Sequence, residues 1–120
     1  MKFGTGDAQV EVNTATRAGL FRALRQRLSD GTGFALATLN LDHLTKLPHD
    51  PAFLAAYQAH DLIVADGRPI VWLSKLAGHP VELMPGSELI APINQWATSG
   101  SEIFYSPFFI VSTFPIPAIN

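Results

Sequence analysis

The chain has no cysteine, which removes disulfides, thiolate nucleophiles and zinc ribbons from consideration. Charge is sparse: charged residues are 15% of the 120, and the net charge is −2. No basic run of the kind that follows a phosphate backbone occurs, so no nucleic-acid partner is expected. No stretch approaches the roughly twenty apolar residues that a membrane-spanning helix needs. Residues 1–12 are polar and mixed, without the basic-then-apolar plan of a secretory signal, and the expected location is cytoplasmic. Also missing are G-x-S-x-G, a phosphate-binding Gly-Lys-Ser/Thr loop and H-E-x-x-H. Hydrolase, NTPase and metalloprotease readings therefore lack support. His49, His60 and His79 stand singly without ligand spacing, so neither a metal nor a cofactor is expected.

What is plentiful is apolar. Hydrophobic residues make up 48% of the chain, a high share beside so few charges. That balance points to an uncovered partner surface or a nearby membrane, and it leaves a homo-oligomer open. The length suits one domain. Near the start, a strand is expected around Gln9–Val12. Asn13 or Thr14 then caps a helix in which Leu20, Phe21, Leu24 and Leu28 recur at helical spacing. Arg17, Arg22, Arg25 and Arg27 take its other faces as a solvated surface, and Gly31 stops it.

The most informative run is 34–66. Phe34–Leu39 reads as a core strand whose end delivers Thr38 and Asn40 toward a loop. Leu41, Leu44 and Leu47 suggest a short helix stopped by Pro48. Asp50 and Pro51 restart one, with Phe53, Leu54 and Tyr57 as its buried stripe. Leu62–Ala65 is a second buried strand, ended by Asp66-Gly67. If the two strands are parallel, as a right-handed β-α-β unit requires, Asn40 and Asp66 emerge at the same sheet edge, where open α/β folds bind ligands. Asp66, at the end of a buried strand, is the candidate general base; partial desolvation there would raise its proton affinity. The alternative is an ordinary helix-capping aspartate. Thr38 and Asn40 offer a hydroxyl and an amide to sugar hydroxyls, or are simply strand and turn residues. Asp42 and His43 are adjacent on a helix and point about a hundred degrees apart, so they do not form a direct couple. Arg68 either pairs with Asp66, meets a phosphate or is solvated.

Beyond this run, Pro69 opens a helix through Ile70, Val71, Leu73, Ser74 and Leu76 to Gly78. His79–Pro85 is a loop or brief strand. Ser87 caps a helix through Trp96, interrupted by Pro92 and closed by Gly100. Glu102–Tyr105 is a third strand, and Trp72 and Trp96 are read as core. Residues 106–120 show neither period and read as a divergent apolar tail to a domain spanning 1–105.

The succession TLNLDHL, a DPAF helix, HDLIVADGRPIVWLSKLAGHP and PGSELI resembles the WecG/TagA/CpsF glycosyltransferases, over about Val10 to Ala97. The resemblance implies a Rossmann-like α/β fold of three layers, α/β/α, with a short and mostly parallel sheet, matched in its N-terminal part only and incomplete at the C-terminus. It places Thr38 and Asn40 in the family's T-x-N pocket and Asp66 at the proposed catalytic base. It implies inverting, metal-independent transfer of an N-acetylmannosamine-type sugar. The donor would be a UDP-sugar and the acceptor a polyprenyl-diphosphate-linked one, in surface polysaccharide synthesis, with peripheral contact at the membrane's inner face. The absence of an Asp-x-Asp pair agrees with that chemistry. Two departures stand out. Leu83 takes the place of an arginine common in relatives, and Glu88 that of an aspartate. They keep open the alternative of a truncated, inactive remnant that binds weakly at most.

Overall fold

The computed structural model describes residues 1–5, 8–97, 102–106 and 109–113. The chain opens with an antiparallel hairpin, β1 (Lys2–Thr5) against β2 (Ala8–Glu11), with Phe3 opposite Val10. The sequence pattern located the second strand but not its partner. Helix α1 (Arg17–Ser29) follows, and its N-cap is Thr16, whose hydroxyl accepts from the Gly19 amide at 3.0 Å. Asn13 and Thr14, the expected caps, are engaged elsewhere. The Asn13 carboxamide donates to the Asp61 carbonyl at 2.9 Å and accepts from the Ile63 amide at 3.0 Å, and the Thr14 hydroxyl donates to Asn13 at 2.9 Å. Gly31, with φ +71°, turns the chain out of α1, a conformation that favours glycine.

Next come β3 (Phe34–Leu39), α2 (Leu41–Lys46), a 3-10 turn at Leu47–His49 and α3 (Pro51–Gln58). Asp50 caps α3 by accepting from the Phe53 amide at 3.0 Å, with Pro51 in the first turn. Then β4 (Leu62–Ala65) leads to α4 (Arg68–Leu76), a 3-10 turn at Gly86–Glu88, and α5 (Ile90–Trp96). Ser87 lies inside that 3-10 turn and caps nothing; α5 starts without a side-chain cap. Residue 100, the expected end of this helix, lies outside the described residues. The last strands are β5 (Glu102–Tyr105) and β6 (Phe109–Thr113).

The central sheet has the order β4-β3-β6-β5. Strand β4 runs parallel to β3, with Leu36 opposite Leu62 and Leu39 opposite Ala65. The helical crossover supplies the length that a parallel return needs. The expectation of a mostly parallel sheet is corrected by the other two pairings, β3 with β6 and β6 with β5, which are antiparallel. For β5 and β6 the cause is the link between Tyr105 and Phe109, far too short for a crossover, where the Ser106 amide donates to the Phe109 carbonyl at 2.8 Å. Residues 109–113, within the stretch read as an aperiodic tail, thus occupy the sheet beside β3.

Alternation along the strands builds two cores. Phe34, Leu36, Leu62, Val64 and Ile110 face Leu20, Leu24 and Leu28 of α1 and Ile93 of α5. Ala37, Leu39, Ile63 and Ala65 face Tyr57 of α3, Ile70 and Val71 of α4, and Val10 of the hairpin. The result is the expected α/β/α layering. Trp96 is half-buried, edge-on to Phe21 with ring centroids 5.0 Å apart. Trp72 is not core: it is 61% exposed, because α4 turns Ile70, Val71 and Ser74 inward instead.

Candidate functional site

The carboxyl ends of β3 and β4 carry the sequence-nominated residues. The parallel register, continued one step, sets Asn40 opposite Asp66, and the Asp66 amide donates to the Leu39 carbonyl at 2.8 Å. Gly67, with φ +121°, makes the turn from β4 into α4, and a Cβ on it would stand 3.6 Å from the Asn40 Cβ. Asp66 and Asn40 therefore share one rim.

Thr38 and Asp66 follow Leu36 and Val64 by two residues, so pleating directs both to the face covered by α1 and α5. There they line a cavity of about 340 Å³. Pro85 and Gly86 form another wall, with the Thr38 methyl 3.4 Å from where a Gly86 Cβ would sit. Tyr105, Phe109 and Ile110 supply the remaining wall from the β5–β6 hairpin. Thr38 is buried and Asp66 half-buried, so a hydroxyl and a carboxylate meet a mixed apolar and aromatic surface, the usual make-up of a small-molecule pocket. Asn40 does not line this cavity; its amide oxygen accepts from the His43 backbone at 2.8 Å and caps α2. Arg68 is exposed at the first position of α4 and is not part of the lining. Among the described residues, no group of three or more His, Asp or Glu is placed to hold a metal.

Behind the rim lies a polar pair that sequence reasoning missed. The Tyr57 hydroxyl donates to the Thr38 carbonyl at 2.5 Å and meets His43 Nδ1 at 2.7 Å, all of it buried. A carbonyl can only accept, so the phenol's one proton goes there, and by elimination His43 Nδ1 carries the hydrogen. Burial holds the imidazole below its ordinary proton affinity. The Thr38 backbone hydrogen bond and the Asp42 charge oppose this, Lys46 adds to the lowering, and Asp66 opposes it. The Tyr57 phenol is pushed up, first by burial and then by the charge of Asp66. Both groups are held neutral, and both sense Asp66. The Asp42 carboxylate pairs with Lys46 at 2.9 Å.

The wall from the hairpin was also unreadable in advance, because Phe109 and Ile110 reach the site only through strand pairing across β3.

Residues 7–107 match the glycosyl transferase WecG/TagA/CpsF family. The chain belongs to this family. Comparison with curated proteins and with solved structures gave no match. WecG/TagA/CpsF membership makes the protein a glycosyl transferase by class, with a sugar donor and an acceptor as its general substrates. The matched span takes in β3, β4 and the Asp66 rim. It also includes Leu83 and Glu88. Leu83 bridges β4 at Ala65, and Glu88 pairs with Arg17 of α1 at 2.8 Å.

Proposed function

We propose that Asp66 is the general base of an inverting sugar transfer. It takes the proton of an acceptor hydroxyl as that oxygen attacks the anomeric carbon opposite the departing nucleoside diphosphate. The donor is a UDP-linked hexosamine of the N-acetylmannosamine type and the acceptor a polyprenyl-diphosphate-linked sugar, handled on the cytoplasmic side for surface polysaccharide synthesis. Thr38 holds a substrate hydroxyl inside the cavity, and Asn40 offers its amide hydrogens from the rim. The supporting observation is the convergence of Asp66 and Thr38 on one cavity at the carboxyl ends of parallel strands, in a chain of the WecG/TagA/CpsF family.

A second reading, binding without turnover, draws on the same cavity. Among the described residues its lining includes no lysine or arginine to meet the charge of a leaving diphosphate. One experiment separates the two. Incubated with UDP-N-acetylmannosamine and a lipid-diphosphate acceptor, the chain transfers sugar, and Asp66→Asn lowers the rate at least a hundredfold, the usual scale for a lost general base, without unfolding the protein. Absence of both turnover and UDP binding would instead leave the weak-binding module.

A further inference from the structure

We propose that the cavity beside Asp66 is the subsite of the acceptor's terminal sugar, an uncharged pyranose, and that Tyr105 selects it by packing on the ring's C–H face. Tyr105 stands opposite Ile110, which stands opposite Leu36, so it shares the sheet face of Thr38 and Asp66. Strands β5 and β4 are three spacings apart in the sheet, roughly 14 Å. Less the reach of two side chains, that gap suits one six-membered ring, with a carboxylate at one end and an aromatic side chain at the other. The phenol is held from two sides. Its hydroxyl donates to Asn94 Oδ1 of α5 at 2.6 Å, and burial raises the phenol, which keeps its proton in that bond. The next residue, Ser106, locks the hairpin: its hydroxyl accepts from the Phe109 amide at 2.9 Å and donates to the Phe109 carbonyl at 3.1 Å. With its one proton committed, Tyr105 offers the cavity ring surface and an acceptor oxygen. The side chain is still 39% exposed, and a surface fixed in advance loses little freedom when a ligand packs on it.

Charge decides which substrate enters. Among the described residues the lining holds the Asp66 carboxylate and no cation. A diphosphate drawn in beside it would meet like charge in a partly desolvated site. The donor carries its diphosphate on the reacting carbon and cannot enter without it. The acceptor carries its own on the anomeric carbon, away from the attacking hydroxyl, so the sugar enters hydroxyl first and leaves the diphosphate outside. Hydroxyls and C–H faces of an uncharged sugar match a lining in which Thr38 and Ser87 stand beside Pro85, Ile90 and Ile110. Which substrate meets Tyr105 rests on the sugar-transfer reading of Asp66; that an uncharged sugar meets it does not.

The test is nuclear magnetic resonance on the full chain with labelled tyrosine rings, of which there are two, Tyr57 being buried. The probes are the methyl β-glycosides of glucose, N-acetylglucosamine and N-acetylgalactosamine, with inorganic pyrophosphate as competitor. At least one glycoside should shift the Tyr105 ring signals and leave those of Tyr57 in place, and pyrophosphate should not displace it. By saturation transfer to the sugar protons, Tyr105→Ala weakens binding about tenfold, whereas Tyr105→Phe, which keeps the ring, binds as the parent does; circular dichroism is unchanged in both. In the transfer assay Tyr105→Ala raises the acceptor KM by the same factor, with kcat and the donor KM unchanged. Failure of all three glycosides to bind, binding indifferent to Tyr105→Ala, a Phe variant as weak as the Ala variant, or displacement by pyrophosphate overturns the proposal. Sugar binding of this pattern without any transfer would retain the subsite and remove Asp66 as base. Transfer lost in Asp66→Asn with an acceptor KM indifferent to Tyr105→Ala would retain the base and remove the subsite.

Discussion

Asn40 shows how one side chain can be both ordinary and well placed. Its amide oxygen closes the N-terminus of α2, the structural role that asparagine takes at many helix starts. The same bond fixes the residue beside Gly67 and opposite Asp66, so the cap also builds the rim. His43, three residues on, turns inward to Tyr57. Tyr57→Phe removes the hydroxyl that donates to the Thr38 carbonyl and meets His43 Nδ1. The expected loss is about 1–3 kcal/mol of unfolding free energy, read by urea denaturation, with the far-ultraviolet circular dichroism of the native state unchanged.

Among the elements, β6 departs most from its sequence reading. FIVST has no alternation of polar and apolar residues because the strand is interior to the sheet, between β3 and β5, and an interior strand covered on both sides reads as a continuous apolar run. Ile110 is buried against the α1–α5 core and also lines the cavity. Ile110→Ala should cost about 2–5 kcal/mol by chemical denaturation, a loss that a dangling tail could not produce. Leu76→Ala on α4 is the matching control. That side chain is 85% exposed, and truncating it should change stability by no more than about 0.5 kcal/mol.

At the scale of the molecule, the sheet separates two cores, and the buried His43–Tyr57 pair links their stability to pH. Both groups are held neutral, so the signs are opposite. Burial depresses His43, so its contribution is full above the unfolded value of 6.5 and is lost as the pH falls from there through the depressed folded value. Tyr57 is raised, so its contribution is full below the unfolded value of 10.0 and is lost as the pH rises from there. Unfolding free energy should therefore show a plateau between these limits and fall on both sides. Tyr57→Phe should flatten the alkaline limb but leave a residual slope from Tyr105, whose phenol burial also raises.

Much of the frame was local and so legible in the residues. Asp50-Pro51 starts α3, Gly31 closes α1, and the apolar runs 34–39 and 62–65 with a helical link between them form a parallel pair. That pairing alone puts Asn40 and Asp66 on one edge, because parallel strands end at the same side. What the residues could not state depends on contacts between distant segments. The β5–β6 hairpin enters beside β3 and completes the cavity wall, and Tyr57 reaches across to His43 and Thr38. The choice of which side of α4 faces inward leaves Trp72 outside. Short-range propensity determined the elements and the rim, while the pairing of surfaces far apart in the chain decided the pocket, the buried pair and the exposed face, since only burial distinguishes an apolar residue that packs from one that waits for a partner.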